Sequence, residues 1–168
     1  DADEELRLKL NMKKLNDDFS TIHRQVGCYR FEQDLHKEYR DRGYLSGEEI
    51  SEIYVNRMVE YMGPSIIQTP GSQNGWTTWS HIRRFFYVYS YASGLLISKS
   101  LQNMVRNDQN NIDIVKKLFS QGTNMSPSVA FKEVGLDITQ KTFWESGLKE
   151  IGLLLTETKK LAKKLNKL

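Results

Sequence analysis

The sequence predicts an all-α fold. Three observations carry that expectation. Apolar residues recur at helical spacing along most of the chain, helix start and stop signals separate those runs, and neither a βαβ unit nor an internal repeat is present. A length of 168 residues is enough to bury a core without disulfide or metal staples, and the whole chain, 1–168, is assigned to one all-helical segment.

The elements follow in order. Residues 2–17 form a charged helix with Leu6, Leu10, Met12 and Leu15 as its apolar stripe, and Glu4 and Glu5 sit early, where the helix dipole favours them. A long second helix is predicted over Phe19–Arg42, with Phe19, Ile22, Val26, Tyr29, Leu35 and Tyr39 on one face and Gly43 as its C-cap. Ser46 with Glu49 three residues on is a capping-box start. That third helix carries Ile50, Ile53, Tyr54, Arg57, Met58 and Tyr61, and Gly63-Pro64 stops it.

Residues 63–80 (GPSIIQTPGSQNGWTTWS) are the longest irregular stretch, and loops of this length inside compact domains often carry function. From Phe85 to Val105 the chain is too long an apolar run for a strand, although FYVY is rich in strand formers. It is assigned to a buried helix covered on several sides. A short helix over Asn111–Gln121 ends at Gly122, and Ser126-Pro127 opens another that ends at Gly135. The last helix, Thr139–Leu168, has the stripe Phe143, Leu148, Ile151, Leu155, Leu161 and Leu165.

Composition narrows the function classes. With 39% apolar and 27% charged residues the chain is not a disordered tail. A balance of 24 basic against 21 acidic residues is too even to point to nucleic acid. No apolar run approaches the ~20 residues of a membrane span. The single cysteine, Cys28, excludes a disulfide framework and fits a reducing, cytoplasmic compartment. The chain begins with Asp1 rather than methionine, so either residues were removed or a piece of a longer protein is expected.

Few residues carry recognisable chemistry. Glu32 and His36 are spaced four apart on one helix face, with His23 further back, and this reads as a helix-surface ion pair rather than a metal site. Cys28 beside Gly27 reads as a small buried thiol. KKLAKKLNKL at the end holds five lysines in ten residues and reads as a solvated helix face. The segment WTTWSHIRRFFYVYSYASG, residues 76–94, differs in kind, with two Trp, one His, two Arg and three Tyr. It is either a core helix whose phenols find partners, or a substrate wall beside a mobile glycine loop.

That segment resembles the oligoendopeptidase F family of thimet-oligopeptidase-like zinc metallopeptidases. The family pattern runs Trp, four residues, His, four residues, FYVYxYA, a small residue and Gly, and Trp76, His81 and Phe86 fall into it without a gap. TIHRQVGCYRFEQDLH from Thr21, GYLSGEEISEIY from Gly43 and SQGTNMSPSVAFKEVGLDIT from Ser120 match three further family segments in order. The sequence departs from the pattern at His23, at Arg83-Arg84 and in lacking HExxH, the motif that holds the catalytic zinc.

The resemblance implies a multi-helix part of a larger helical metallopeptidase. It would line the channel that binds short peptides, while the zinc ligands lie in an N-terminal portion of the same enzyme. It further implies that His81 and Tyr91 act at the tetrahedral intermediate. Tyr87, Tyr89, Gly71, Gly75, Trp76, Arg83 and Arg84 would contact substrate, and no residue of this chain would ligate metal. The chain alone is expected neither to bind catalytic zinc nor to cleave peptides, and its exposed aromatic surface, Trp76 to Tyr91, is expected to promote self-association. Two other classes stay open: a non-catalytic peptide-binding paralogue, and a membrane- or nucleic-acid-associated protein acting through the lysine-rich tail.

Overall fold

The structure is a computed structural model that describes residues 3–168. The helices are α1 (Glu4–Phe19), α2 (Gln25–Arg42), α3 (Gly47–Met62), α4 (Tyr89–Asn107), α5 (Ile112–Ser120), α6 (Pro127–Glu133) and α7 (Lys141–Lys164), and the described residues contain no strand. The fold is all-α, as the apolar periodicity predicts. The expected start of the first helix at residue 2 lies outside the described residues. The chain divides into two compact units. One is Asp17–Ser93, and the other joins the described residues up to Asn16 with Gly94–Leu168.

In the Asp17–Ser93 unit the backbone does not break where the first two helices were expected to separate. The π-helical turn Ser20–Arg24 follows α1 directly, and Phe19 and Gln25 on either side keep right-handed helical angles. Neither Gly nor Pro stands there to end a helix. Gly43 closes α2 at a left-handed φ of 76°. Ser46 opens α3 with the full capping box, its Oγ accepting from Glu49 N–H while Glu49 accepts from Ser46 N–H at 2.8 Å.

The buried face of α2 is not the expected one. Gly27, Cys28, Phe31 and Glu32 are buried, whereas Tyr39 is exposed. The cause is the approach of α3: a Cβ on Gly27 would stand 3.3 Å from Tyr61 Cβ and 3.4 Å from the Arg57 carbonyl oxygen, so the helices meet at the small residue. Cys28, Met58 and Val88 form the buried centre, with Tyr29, Tyr54, Trp79 and Tyr91 packed around it.

The other unit is built around Leu101, Leu118, Ala130, Phe131 and Val134. Burying a side chain such as Phe131 contributes about 1.5–3 kcal/mol. Helix α7 buries Gly147, Glu150, Thr158 and Ala162, while Leu148 and Leu155 of the expected stripe are largely exposed. Close packing on α4 explains the shift. A Cβ on Gly147 would lie 2.6 Å from the Leu96 carbonyl oxygen, and Ser100 Oγ donates to the Phe143 carbonyl at 2.7 Å. Glu150 accepts from Asn103 Nδ2 at 2.6 Å and from Arg106.

The lysine-rich end of the chain is tied to α1 by ion pairs, Lys164 to Glu4 and Lys167 to Glu5, with Arg7 paired to Glu157. Helix α4 is not covered on all sides. Ile97, Leu101 and Val105 line an open apolar groove of about 1410 Å³ together with Ile112, Phe119 and Met125. No helix among the described residues is long and apolar enough to cross a membrane.

Candidate functional site

The nine residues singled out by the sequence all fall in the Asp17–Ser93 unit, on the loop after α3 and the first turn of α4. The loop is fastened at one place. Trp76 Nε1 donates to Ser51 Oγ at 3.0 Å, and Ser51 Oγ, on a buried residue of α3, donates to Asn74 Oδ1 at 2.9 Å. Gly75 passes directly over Tyr54, where a Cβ would stand 2.9 Å from the phenol oxygen. Gly71 turns the chain at a left-handed φ of 92°, and its N–H donates to Gln73 Oε1. Trp76 and Gly75 thus anchor the loop, and Gly71 shapes its exposed tip.

The loop then delivers His81 on a 3₁₀ turn, Ser80–Arg84. His81 Nε2 and Tyr91 Oη share a hydrogen bond of 2.8 Å, with the imidazole tautomer deciding which of them donates. The Tyr87 ring lies parallel to the imidazole, at 5.4 Å and 2°, and meets Tyr91 edge-on at 5.9 Å. The Arg84 guanidinium carbon stands 5.6 Å from the Tyr87 ring centre, within cation–π range. Four of the nine, His81, Arg84, Tyr87 and Tyr91, therefore form one cluster. Tyr89 is 64% exposed, and neither its phenol nor the Arg83 side chain makes a hydrogen bond or ion pair among the described residues.

Phe85–Val88 is not the start of the helix that the sequence assigned from Phe85 onward. Phe85 and Phe86 have φ of 42° and 57°, and α4 begins only at Tyr89. Left-handed angles cost a side-chain-bearing residue roughly 1–2 kcal/mol each. Offsetting contacts surround the turn. Val88 is fully buried, and the Phe86 ring packs between Tyr29 at 5.7 Å and His36 at 5.1 Å. The Phe86 N–H donates to Glu32 Oε1 at 2.6 Å.

Glu32 is the residue whose role the sequence did not reveal. The expected i,i+4 pairing of Glu32 with His36 is present, but not as a surface pair, because the Glu32 side chain is fully buried. His36 Nε2 stands 3.9 Å from Oε1, and Oε2 is buried without a hydrogen-bond partner among the described residues. Burial pushes the Glu32 carboxyl above the usual carboxylate range, while the Phe86 N–H and His36 pull it back. Its place directly after Phe31 and one turn beyond Cys28, on the same helix face, was the available signal. Burial likewise pushes the Cys28 thiol up to about 12, a shift that Glu32 reinforces and Arg24 opposes, so the thiol is unreactive at neutral pH.

The described residues do not fit a zinc site. No group of three or more His, Cys, Asp and Glu side chains stands close enough among them to hold a metal ion. His23 is engaged elsewhere, with Nδ1–H donating to the Tyr61 carbonyl at 3.1 Å and its ring stacked on Phe19 at 4.7 Å. The chemistry derived from these residues accordingly runs through no metal.

The chain is 27% identical over 167 residues to the chromosomal oligoendopeptidase F of Lactococcus lactis subsp. cremoris, covering 96% of this chain and 27% of that protein. It is 26% identical over 153 residues to an oligoendopeptidase F homolog of Borreliella burgdorferi, covering 90% of this chain and 26% of that one. The chain therefore spans about a quarter of the length of these relatives. The crystal structure of oligoendopeptidase-F from Enterococcus faecium shares its fold with a TM-score of 0.87 at 22% identity, over 98% of this chain and 32% of that one. A single family model accounts for residues 2–150, which include α1 to α6 and the entire His81–Tyr91 cluster, and on that match the chain belongs to peptidase family M3.

Proposed function

We propose that this chain supplies one wall of the peptide-binding channel of a zinc-dependent oligopeptidase that hydrolyses short peptides, with zinc ligands that these residues do not provide. The observation that carries the reading is the 2.8 Å hydrogen bond between His81 and Tyr91, backed by the parallel Tyr87 ring. In the tautomer with hydrogen on Nε2, His81 donates to Tyr91 Oη, and the phenol keeps its own proton to offer. A phenol O–H polarised in this way stabilises an oxyanion that develops on a scissile carbonyl more than it stabilises the neutral carbonyl. The parallel ring and the edge contact hold both donors before substrate arrives, so little reorganisation is needed at the transition state.

The exposed faces of Tyr87 and Tyr89, with Arg83, Arg84 and the loop around Gly71, are assigned to the peptide itself. Arg84, over Tyr87, offers a charged fork to a peptide carboxylate or carbonyl. A cytoplasmic location, docking against the zinc-bearing portion of an oligopeptidase and self-association belong to the same proposal. Support for the two contacts comes from the open apolar groove beside α4 and from Phe85, which is 70% exposed.

The test uses a phosphinic oligopeptide, whose anionic oxygen stands where the oxyanion would form. The 168-residue chain is expected to bind it, and Tyr91→Phe is expected to weaken binding without loss of fold. In the natural gene product that contains this chain, the same substitution is expected to lower kcat by about 10²-fold. Equal affinity and equal turnover in Tyr91→Phe would refute the assignment. Peptide affinity with no turnover in that gene product would favour the peptide-binding paralogue instead.

A further inference from the structure

We propose that Glu32 is a positioning residue for the His81–Tyr91 pair. By accepting the Phe86 N–H, its buried carboxylate holds the Phe85–Phe86 turn in its left-handed form, and that turn sets His81, Tyr87 and Tyr91 against one another. The inference rests on the reading of His81 and Tyr91 as the donors.

The geometry of the connection carries it. Only Phe85 to Val88 separate the 3₁₀ turn that bears His81 from the start of α4, whose first turn bears Tyr91. Within those residues the chain must lay Tyr87 parallel to the imidazole and still present the Tyr91 hydroxyl to Nε2. It does so through two consecutive phenylalanines at positive φ, a conformation that bulky residues rarely adopt. Such a turn persists only where its surroundings over-determine it. Ring packing of Phe86 on Tyr29 and His36 holds the side chain and does not engage the peptide N–H. Among the described residues, the hydrogen bond recorded at the strained Phe86 backbone is the one its N–H donates to Glu32, across 54 residues of sequence.

A contribution to stability alone does not account for this carboxylate. The Glu32 side chain is fully buried, and among the described residues one of its oxygens has no hydrogen-bond partner and the other accepts only from the Phe86 N–H. His36 stands at 3.9 Å, beyond hydrogen-bond distance. A carboxylate so placed weighs on the folded state, and an apolar residue would fill the space at lower cost. What Glu32 supplies that an apolar side chain cannot is an acceptor at a fixed point opposite the turn.

Labelled 168-residue chain, Glu32→Gln and Glu32→Leu would be compared by NMR, reading the Phe86 amide exchange rate and the ring signals of His81, Tyr87 and Tyr91. Glutamine keeps an acceptor oxygen and is expected to leave both readouts close to the parent. Leucine is expected to speed Phe86 exchange about tenfold or more and to move the His81 and Tyr91 rings, with the Met58 and Val88 methyl signals unchanged. A merely structural role would lower overall stability without moving the His81 and Tyr91 signals of the folded protein. Unmoved rings in Glu32→Leu, or rings moved equally in both variants, would overturn the proposal.

Should Glu32→Leu fail to fold, it would be combined with Phe85→Gly, which relieves the left-handed cost at an exposed position. Restored folding and ring contacts would support the clamp, and failure of the double variant to fold would overturn it. None of these readouts uses peptide binding or turnover. A silent Tyr91→Phe would thus refute the oxyanion reading while leaving the clamp intact.

Discussion

Two alanine substitutions on the same helix should act in opposite directions. Gly147 and Gly152 both lie within α7, and replacing either with alanine gains helix propensity of about 0.8–1.0 kcal/mol. At Gly152 nothing lies within 4 Å of the added methyl, so the gain is expected in full. At Gly147 the methyl would stand 2.6 Å from the Leu96 carbonyl oxygen and 2.9 Å from Ser100 Oγ, and the first of these is backbone that cannot swing aside. Helix α7 would have to back away from α4. That movement strains the 2.7 Å bond from Ser100 Oγ to the Phe143 carbonyl and the 2.9 Å bond from Ser146 Oγ to Ser100 Oγ. Overpacking of this kind costs about 1–3 kcal/mol, more than the propensity gain it is set against. The propensity gain is common to both, so the two variants should differ by the overpacking cost, about 1–3 kcal/mol. Urea unfolding followed by far-ultraviolet circular dichroism reads the difference directly. Equal midpoints for Gly147→Ala and Gly152→Ala would refute the close approach of α4 and α7.

Other outcomes follow from single contacts. Ser46→Ala removes the capping box of α3 and should cost about 1 kcal/mol in thermal unfolding, with an unchanged midpoint refuting it. Cys28 should react with iodoacetamide at pH 8 far more slowly in the folded chain than in urea, since burial pushes its thiol to about 12. Equal rates would show that it is accessible. Two carboxylates should shape the pH dependence in opposite senses. Burial alone would raise the Glu150 carboxyl, but Asn103, Arg106 and Lys99 outweigh it, and it lies below its usual value. Its contribution is present above the unfolded pKa of about 4.3 and is lost as pH falls through the lower folded value, so Glu150→Gln should flatten the loss in acid. The Glu32 carboxyl is raised, so its penalty is absent below about pH 4.3 and grows as pH rises towards the folded value. Glu32→Gln should flatten that decline, and denaturant midpoints across pH 3–8 with unchanged slopes in both variants would refute the pair of assignments.

Local chemistry determined much of this protein from the sequence alone. Helical periodicity set the all-α class, and signals that act within one turn marked the ends of elements: Gly43 after α2, the Ser46–Glu49 box before α3, Pro127 at the start of α6. The spacing of Trp76, His81 and Phe86, with three further segments in order, was legible as an M3-family pattern without any coordinates. Tertiary structure alone decided which faces are buried. Tyr39, Leu148 and Leu155 fit an apolar stripe, yet α2 and α7 turn Gly27 and Gly147 inward, because the nearest approach of a neighbouring helix selects the smallest residue. It also decided that Phe85 and Phe86 leave both helix and strand geometry, and that a glutamate with the spacing of a surface ion pair is a buried acceptor for one backbone N–H. Periodicity and capping act over three or four residues, whereas the Glu32–Phe86 contact spans 54 and exists only once the helices have packed.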